Sequence, residues 1–172
     1  MNLIDTARMR LRPLAKSDLD SLARIYSDPD VMKYRLYSQP ASFEQTQESL
    51  QSYLAHWERY GFGRWAVVHK PNQQFIGHCG LENLPILGEV ELNYLLAKEY
   101  WGRGLTTEAA RSLIKYGFET LKLQGLVALA KPENLASLRI MQKIGMQYER
   151  VVQLYGVEWV MYAIERHKCI EH

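Results

Sequence analysis

A short glycine-containing turn is the part of the sequence whose residue types point most directly to chemistry. Gly102 and Gly104 lie two positions apart with Arg103 between them, and a predicted helix follows whose first turn holds Thr106 and Thr107. Glycine tolerates a positive φ angle and lets another molecule approach the main chain, so successive N–H groups can point at one spot. The helix adds a partial positive charge at its first turn. The pattern therefore predicts a site for an anionic group.

The residues around this turn exclude two common nucleotide-binding motifs. A P-loop needs Lys and then Ser or Thr after its last glycine, whereas Leu105 follows Gly104. A dinucleotide fingerprint needs a third glycine, where this chain has Thr107. It also needs an acidic residue about 20 positions on, at the end of the next strand, where Ala130 and Lys131 stand. The anion predicted at the turn therefore belongs to another class of ligand.

Composition narrows the class of protein further. The chain has 172 residues and a formal net charge of +2, which is too small to indicate nucleic acid as an obligate partner. It has no apolar run of about 18 residues, so we expect no membrane span. The charged first twenty residues do not resemble a secretory signal. Cys79 and Cys169 lie far apart without a zinc-like spacing, so we expect a cytoplasmic protein without a metal site.

Hydrophobic periodicity predicts the elements that position this turn. Strand-like patterns predict seven strands, at 9–13, 64–70, 75–81, 90–96 and 126–130 and in a hairpin over 148–164 that turns near Tyr155. The segment 126–130 is wholly apolar, as expected of a buried strand. Helical patterns predict four helices, beginning at Ser17 with Asp20 as capping partner, at Ser42 with Gln45, at Leu105 and continuing to Leu123, and at Asn134. The order β-α-α-β-β-β-α-β-α-β-β predicts one domain over residues 1–172. We expect the α/β (α+β) class, with a single mixed, mostly antiparallel sheet of about seven strands flanked by helices on both faces.

Two motifs in this order resemble the GNAT superfamily of N-acetyltransferases, and within it the RimJ/RimL-type branch. Tyr100–Ala109 reads YWGRGLTTEA, similar to the acyl-CoA loop of that branch. About thirty residues later, Asn134–Ser137 and Lys143–Met146 resemble the Asn-x-x-Ser and Lys-x-Gly-Phe signatures. The opening Arg8–Pro13 is also similar, so the resemblance covers nearly the whole chain. Trp101 stands in place of the superfamily's Gln or Arg, and Thr106 in place of its last Gly or Ala.

The resemblance implies a GNAT-like fold with acetyl-CoA as co-substrate. Its pantetheine arm is expected along the end of the fourth predicted strand, where the Leu96 N–H would face the thioester carbonyl, and its diphosphate is expected on Gly102 to Thr107. The cofactor-binding residues that the resemblance assigns are Leu96, Trp101, Gly102, Arg103, Gly104, Leu105, Thr106, Thr107, Asn134 and Ser137.

The resemblance also implies direct acetyl transfer, without a covalent enzyme intermediate. Ser137 matches the motif serine that meets the cofactor sulfur and is the candidate acid, although Ser in a first helical turn also satisfies backbone donors. Glu91 is the candidate base because it shares a strand face with Asn93, and Glu158 is the alternative. Cys79 and His78 are interpreted as core residues.

The function expected from the resemblance is transfer of an acetyl group to a primary amine. The acceptor is a peptide N-terminus or a small amine, and the sequence selects neither. An α-amine, whose pKa is near 8, is partly neutral and needs no strong base, whereas a lysine, whose pKa is near 10.4, needs help from a base or from desolvation. The alternative is an acyl-CoA-binding or regulatory module without catalysis. The sequence leaves monomer and homodimer open.

Overall fold

An eight-stranded mixed sheet runs through the protein, whose computed structural model describes residues 3–169. The strands are β1 (Ile4–Asp5), β2 (Met9–Pro13), β3 (Arg64–His69), β4 (Gln74–Leu84), β5 (Glu89–Leu96), β6 (Gly125–Ala130), β7 (Gln147–Leu154) and β8 (Val157–Glu165). Their spatial order is β1-β2-β3-β4-β5-β6-β8-β7. Every neighbouring pair is antiparallel except β5 and β6. The predicted mixed, mostly antiparallel sheet is thus confirmed.

Helices cover both faces of the sheet. They are α1 (Leu19–Tyr26), α2 (Pro29–Met32), α3 (Phe43–Tyr60), α4 (Leu105–Glu119), α5 (Leu135–Lys143) and α6 (Arg166–Cys169). The capping box of α3 is as predicted, because the Ser42 side chain accepts from the Gln45 N–H while the Gln45 side chain accepts from the Ser42 N–H. Gly61 ends α3 with a φ of 75°. No helix within residues 3–169 is long and apolar enough to cross a bilayer.

Two apolar clusters hold these layers together. On one face, α4 buries Leu105 and Leu113 against core residues of the sheet such as Trp65. On the other face, α1 and α3 bury Tyr26 and Tyr53 beside Ala66 of β3. Burial of a large apolar side chain contributes about 1.5–3 kcal/mol relative to exposure. The sheet is therefore a rigid support between the two helical layers.

The parallel pair β5–β6 separates soon after it forms. The two strands have a single registered pair, Glu91 with Val127, before they diverge toward their C-terminal ends. The connection between them is α4, as expected for a parallel crossover. The carboxyl end of β5 therefore lies beside a gap in the sheet, immediately before the turn that precedes α4.

Three expectations from the sequence differ from the structure. The sheet has eight strands because β1 adds two residues, too few to show a period. The predicted cap of Ser17 with Asp20 is wrong: a 3-10 turn, Lys16–Asp18, precedes α1 and the Asp18 carboxylate accepts from the Ala15 N–H and from Arg12 at 2.7 Å. Finally, α4 ends at Glu119 rather than continuing to residue 123.

Candidate functional site

The glycine turn adopts the conformation that its sequence predicts. Gly102 and Gly104 have φ angles of 72° and 76°, and α4 begins at the next residue. Among the described residues, none of the six main-chain N–H groups from Gly102 to Thr107 has a hydrogen-bond acceptor. Trp101 and the two glycines are exposed, whereas the side chain of Leu105 is buried, so Leu105 offers only its N–H. The turn is a ready anion site at a helix N-terminus.

An arginine from the chain start holds this turn in place. Arg8 donates from Nη1 to the Arg103 carbonyl oxygen at 2.8 Å and from Nε to the Glu108 carboxylate at 2.8 Å. Glu108 also accepts from the Arg8 N–H at 2.8 Å and from the Thr6 hydroxyl at 2.6 Å. These bonds outweigh the effect of burial and hold the pKa of Glu108 below its usual value. These bonds link the turn to α4 and to the residue that precedes β2. The sequence patterns did not predict them.

The end of β5 is tied to the turn through an indole. Trp101 donates from Nε1 to the Leu96 carbonyl oxygen at 2.9 Å. On the opposite edge of β5, the Ala97 N–H donates to the Ile76 carbonyl oxygen at 2.7 Å. Because N–H directions alternate along a strand, the Leu96 N–H is directed away from β4 and toward the gap. Leu96 and the turn thus line one continuous edge.

Two hydroxyls meet where α5 faces β5. The Ser137 hydroxyl lies 2.8 Å from the Tyr94 hydroxyl, and Tyr94 also contacts the Ser137 carbonyl oxygen. Asn134 caps α5 by accepting from the Ser137 N–H at 3.3 Å, which confirms the predicted helix start. Ser137 is buried, and burial raises the pKa of Tyr94 above its usual value. The pair therefore holds its protons, and both groups can donate a hydrogen bond.

Glu91 lies on the other face of β5 in a partly compensated charge cluster. It is half-buried and directly opposite Glu82 of β4. Glu82 is itself paired with Arg64 through two bonds of 2.7 and 2.9 Å, which hold its pKa low despite burial. Burial, with a contribution from Glu82, raises the pKa of Glu91 to about 7, against the opposing charges of Arg64 and Arg35. A carboxyl group with this pKa is poised to exchange a proton near neutral pH.

A buried hydrogen-bonded group adjoins this cluster. The Tyr26 hydroxyl lies 2.7 Å from His78 Nε2 and 2.8 Å from the Tyr53 hydroxyl, and Arg35 reaches both tyrosines at 3.3 Å. Burial together with the charges of Arg64 and Arg35 holds the pKa of His78 well below its usual value. His78 is therefore the neutral core residue that its apolar strand predicts, with Nδ1 left unpartnered.

The alternative base lies elsewhere, at a surface cavity of about 520 Å³. The residues lining it are Lys33, Tyr34, Ser38, Lys131, Pro132, Glu133, Val157 and Glu158. Glu158 is exposed and accepts a weak bond from Gln153 at 3.4 Å. Lys131 ties the wall of the cavity together by donating to the Ser38 hydroxyl at 2.6 Å. The structure thus separates the two candidate bases, with Glu91 in the sheet and Glu158 at the rim of a cavity large enough for a small ligand.

The remaining candidates to consider are the Cys79 thiol as a nucleophile and side chains that could bind a metal ion. Cys79 is fully buried in the core, where burial raises the pKa of its thiol above the usual value, so it does not form a thiolate nucleophile. The described residues contain no cluster of three or more His, Cys, Asp or Glu side chains placed to hold a metal ion. Sequence reasoning did not identify Arg8, Tyr94 or Arg35, because each meets its partner only through the tertiary fold.

Comparison with known proteins matches this chain to one family. The family model described as "Acetyltransferase (GNAT) domain" matches residues 8–147. Among curated relatives, the chain is 33% identical over 160 residues to "Uncharacterized protein YkkB" of Bacillus subtilis, covering 91% of this chain and 92% of the relative. It is 30% identical over 156 residues to "Uncharacterized N-acetyltransferase p20" of Bacillus licheniformis, covering 90% and 88%.

The fold matches solved acetyltransferase structures over nearly its whole length. The crystal structure of an acetyltransferase from Agrobacterium tumefaciens superposes with a TM-score of 0.85 at 28% identity, covering 96% of this chain and 95% of that one. An acetyltransferase of the GNAT family from Bacillus anthracis superposes with a TM-score of 0.81 at 26% identity, covering 96% and 99%. The split sheet and the exposed turn thus occur in a fold shared with these proteins.

Proposed function

Because the chain belongs to the GNAT acetyltransferase family and is an acetyl-CoA-dependent N-acetyltransferase, we propose that it transfers the acetyl group directly to a primary amine, with Glu91 as base and Ser137 as acid. The observation that carries this proposal is the row of six unpartnered N–H groups from Gly102 to Thr107, beside the gap between β5 and β6. It supports the proposal because an anion-binding turn and an open strand edge lie next to the two groups proposed to exchange protons, on opposite faces of β5.

The residues fit a thioester cofactor that carries a diphosphate. Unpartnered amides at a helix N-terminus favour phosphate oxygens, and the two glycines keep the approach free of side chains. A Cβ added at Gly102 would meet no atom within 4 Å, so the turn is open on that side. The Leu96 N–H, directed into the gap, is the donor available to a carbonyl oxygen there. Bound acetyl-CoA would supply an activated acetyl group; the protein supplies orientation and proton transfer.

Glu91 is suited to remove a proton from the acceptor. An attacking amine must be neutral, and a lysine-like amine has a pKa near 10.4. With a pKa of about 7, Glu91 is substantially ionised at neutral pH, and its carboxylate can accept a proton from an ammonium group held next to it. Arg64 is committed to Glu82, so it does not compete for the Glu91 carboxylate through an ion pair.

Ser137 and Tyr94 are suited to supply the proton that the departing sulfur needs. Their hydroxyls share one hydrogen bond of 2.8 Å, so either can orient the other toward the gap. The Asn134 side chain fixes the first turn of α5 and therefore the position of Ser137. In this proposal one proton would leave the ammonium for Glu91 on one face, and the C–N bond would form as the C–S bond breaks. The hydroxyl pair would give a proton to the departing sulfur on the other face and regain one from the second proton that the nitrogen loses on becoming an amide.

Steady-state turnover tests the proposal. Thiol release from acetyl-CoA is measured with a panel of peptide, polyamine and amino-acid amines, and acetyl-CoA binding is measured by calorimetry without an acceptor. We expect turnover with at least one amine, and a lower kcat in Ser137→Ala with an unchanged Kd for acetyl-CoA. Binding without turnover for every amine would instead favour a regulatory acyl-CoA-binding module. Absence of binding would overturn the assigned cofactor turn.

A further inference from the structure

Arg35 carries a charge without a counter-ion near the proposed base. It is half-buried in the segment that follows α2, and its pKa stays above the usual value, so it is always charged. Among the described residues, no carboxylate lies within ion-pair distance of its guanidinium. Its contacts are two long bonds of 3.3 Å to the hydroxyls of Tyr26 and Tyr53 and the face of the Tyr26 ring at 4.9 Å. A guanidinium has five N–H donors, so most of its capacity is unused.

Asn93 is a second polar group without a partner on this face of the sheet. It lies two residues from Glu91 on β5, so both side chains share one face. Both Oδ1 and Nδ2 of Asn93 are buried and have no hydrogen-bond partner among the described residues. A buried amide without a hydrogen-bond partner is destabilising, so a ligand that bonds to it would gain from the contact. Its neighbour on the adjacent strand β4 is Gly80, which has no side chain to occupy the space beside Asn93.

This face of the sheet carries two arginines and two glutamates, but only one arginine and one glutamate are in contact. Arg64 and Glu82 form an ion pair, whereas Arg35 and Glu91 do not contact each other. A chain of contacts nevertheless connects them. Arg35 bonds the Tyr53 hydroxyl, and the Arg64 guanidinium lies 4.0 Å from the centre of the Tyr53 ring. Arg64 in turn pairs with Glu82, directly opposite Glu91, so Arg35 and Glu91 belong to one cluster. A ligand that places an ammonium at Glu91 and an acidic group at Arg35 would pair both remaining charges. The Asn93 amide can both donate to and accept from such a ligand.

We propose that the acceptor is an amine whose molecule also bears a carboxylate, which Arg35 binds while the amine faces Glu91. This inference rests on the proposed function and specifies its substrate class. Arginine is suited to the task because its planar fork matches a carboxylate through two parallel bonds. A free amino acid and a peptide with an acidic residue near its N-terminus share this chemistry, whereas a polyamine does not. A wholly cationic acceptor would bring like charge to Arg35.

The experiment compares matched acceptors. Thiol release is measured with glycine, β-alanine and γ-aminobutyrate against methylamine, ethylamine and propylamine, with the C-terminally amidated dipeptides Asp-Ala-amide and Asn-Ala-amide, and with spermidine. We expect at least one acid-bearing acceptor to exceed its uncharged counterpart in kcat/KM by about 10- to 100-fold, the range for hydrogen bonds to a charged group. The amino-acid series and the dipeptide pair distinguish the two sources of the carboxylate.

Variants assign that preference to Arg35. Arg35→Gln is expected to abolish the preference through a higher acceptor KM, with an unchanged Kd for acetyl-CoA, and Arg35→Lys to keep part of it. Arg59→Gln is the matched control, since Arg59 also lies over a tyrosine ring, at 5.1 Å, on the surface of α3. Asn93→Ala should raise the acceptor KM without lowering Tm, which a structural amide would not do.

The possible failures are distinguishable. Turnover that is equal or faster with spermidine and the uncharged amines would overturn the acidic-acceptor inference and leave the proposed function intact. An acid preference that Arg35→Gln and Arg35→Lys both retain would overturn the assignment to Arg35. Acetyl-CoA binding without turnover for any acceptor would overturn the proposed function, and this inference with it.

Discussion

Replacing Gly104 by Ala tests the cofactor turn against a matched glycine elsewhere in the chain. Gly104 has φ 76° and ψ 9° at the start of α4, and Gly61 has φ 75° and ψ 9° at the end of α3. A Cβ at Gly61 would meet nothing within 4 Å, and a Cβ at Gly104 would meet only Arg8 Nη2, at 3.6 Å. Both substitutions therefore introduce the same left-handed strain without a steric clash, about 1–2 kcal/mol for a residue other than glycine.

The strain is expected to appear in different measurements. The exposed turn at Gly104 has N–H groups without acceptors among the described residues, so these N–H groups can reorient without losing hydrogen bonds and must be realigned when the cofactor binds. The bonds that anchor the turn instead use its carbonyl oxygens, from Arg8 to Arg103 and from the Glu108 N–H to Gly104. A penalty of about 1–2 kcal/mol corresponds to an increase in the Kd for acetyl-CoA of about 5- to 30-fold. Gly61 donates its N–H to the Trp57 carbonyl oxygen, so its strain should lower Tm by about 2–8 °C.

Calorimetric titration with acetyl-CoA and thermal unfolding of both variants measure these effects. We expect Gly104→Ala to bind more weakly and Gly61→Ala to bind as the unchanged protein does. Equal Kd values for the two variants would show that the left-handed conformation of Gly104 is irrelevant to acetyl-CoA binding, and would overturn the assignment of the turn as the cofactor site.

Four further predictions concern the proton-transfer groups and the thiols. The value of kcat/KM should rise with pH to a plateau above about pH 7 and become about 100-fold lower and flat across that range in Glu91→Gln. Because the pKa of Glu91 rises on folding, the native state binds the proton more tightly than the unfolded state does. The free energy of unfolding should therefore fall, by up to about 3 kcal/mol, as pH increases from 4.5 to about 7. Urea titrations of Glu91→Gln should not show this fall. Ser137→Ala and Tyr94→Phe should each lower kcat by about 10-fold or more without changing the Kd for acetyl-CoA, and a raised Kd with normal kcat would contradict the assigned role. Iodoacetamide should modify the exposed Cys169, spare the buried Cys79 and leave turnover intact, as mass spectrometry and the thiol-release assay can check.

Local signals in the sequence predict the elements with strong periodicity and specific caps. Ser42 with Gln45, and Gly102 with Gly104, each require one local conformation, and the structure has it. The predicted cap of the first helix is wrong because the Asp18 carboxylate, rather than the Ser17 hydroxyl, accepts a hydrogen bond from a backbone N–H, that of Ala15, in the turn before α1. This carboxylate is held by Arg12, a residue of the preceding strand that no local capping rule includes.

The candidate site is less predictable because its charges pair through the fold. Strand alternation predicts Glu91, but its raised pKa depends on burial in the folded sheet, with a contribution from Glu82, which β4 brings opposite to it. Arg8 reaches the turn across about a hundred positions of sequence, and Arg35 approaches the sheet only because α1 and α3 place two tyrosines beneath it. Sequence patterns report secondary structure and motif identity, whereas these contacts depend on how the layers pack.

A crystal structure of the protein with acetyl-CoA bound would test directly whether the turn from Gly102 to Thr107 binds the cofactor diphosphate. We expect the diphosphate oxygens to accept hydrogen bonds from N–H groups between Gly102 and Thr107, with the thioester in the gap beside Leu96. A bound cofactor whose diphosphate contacts none of these N–H groups would contradict this expectation.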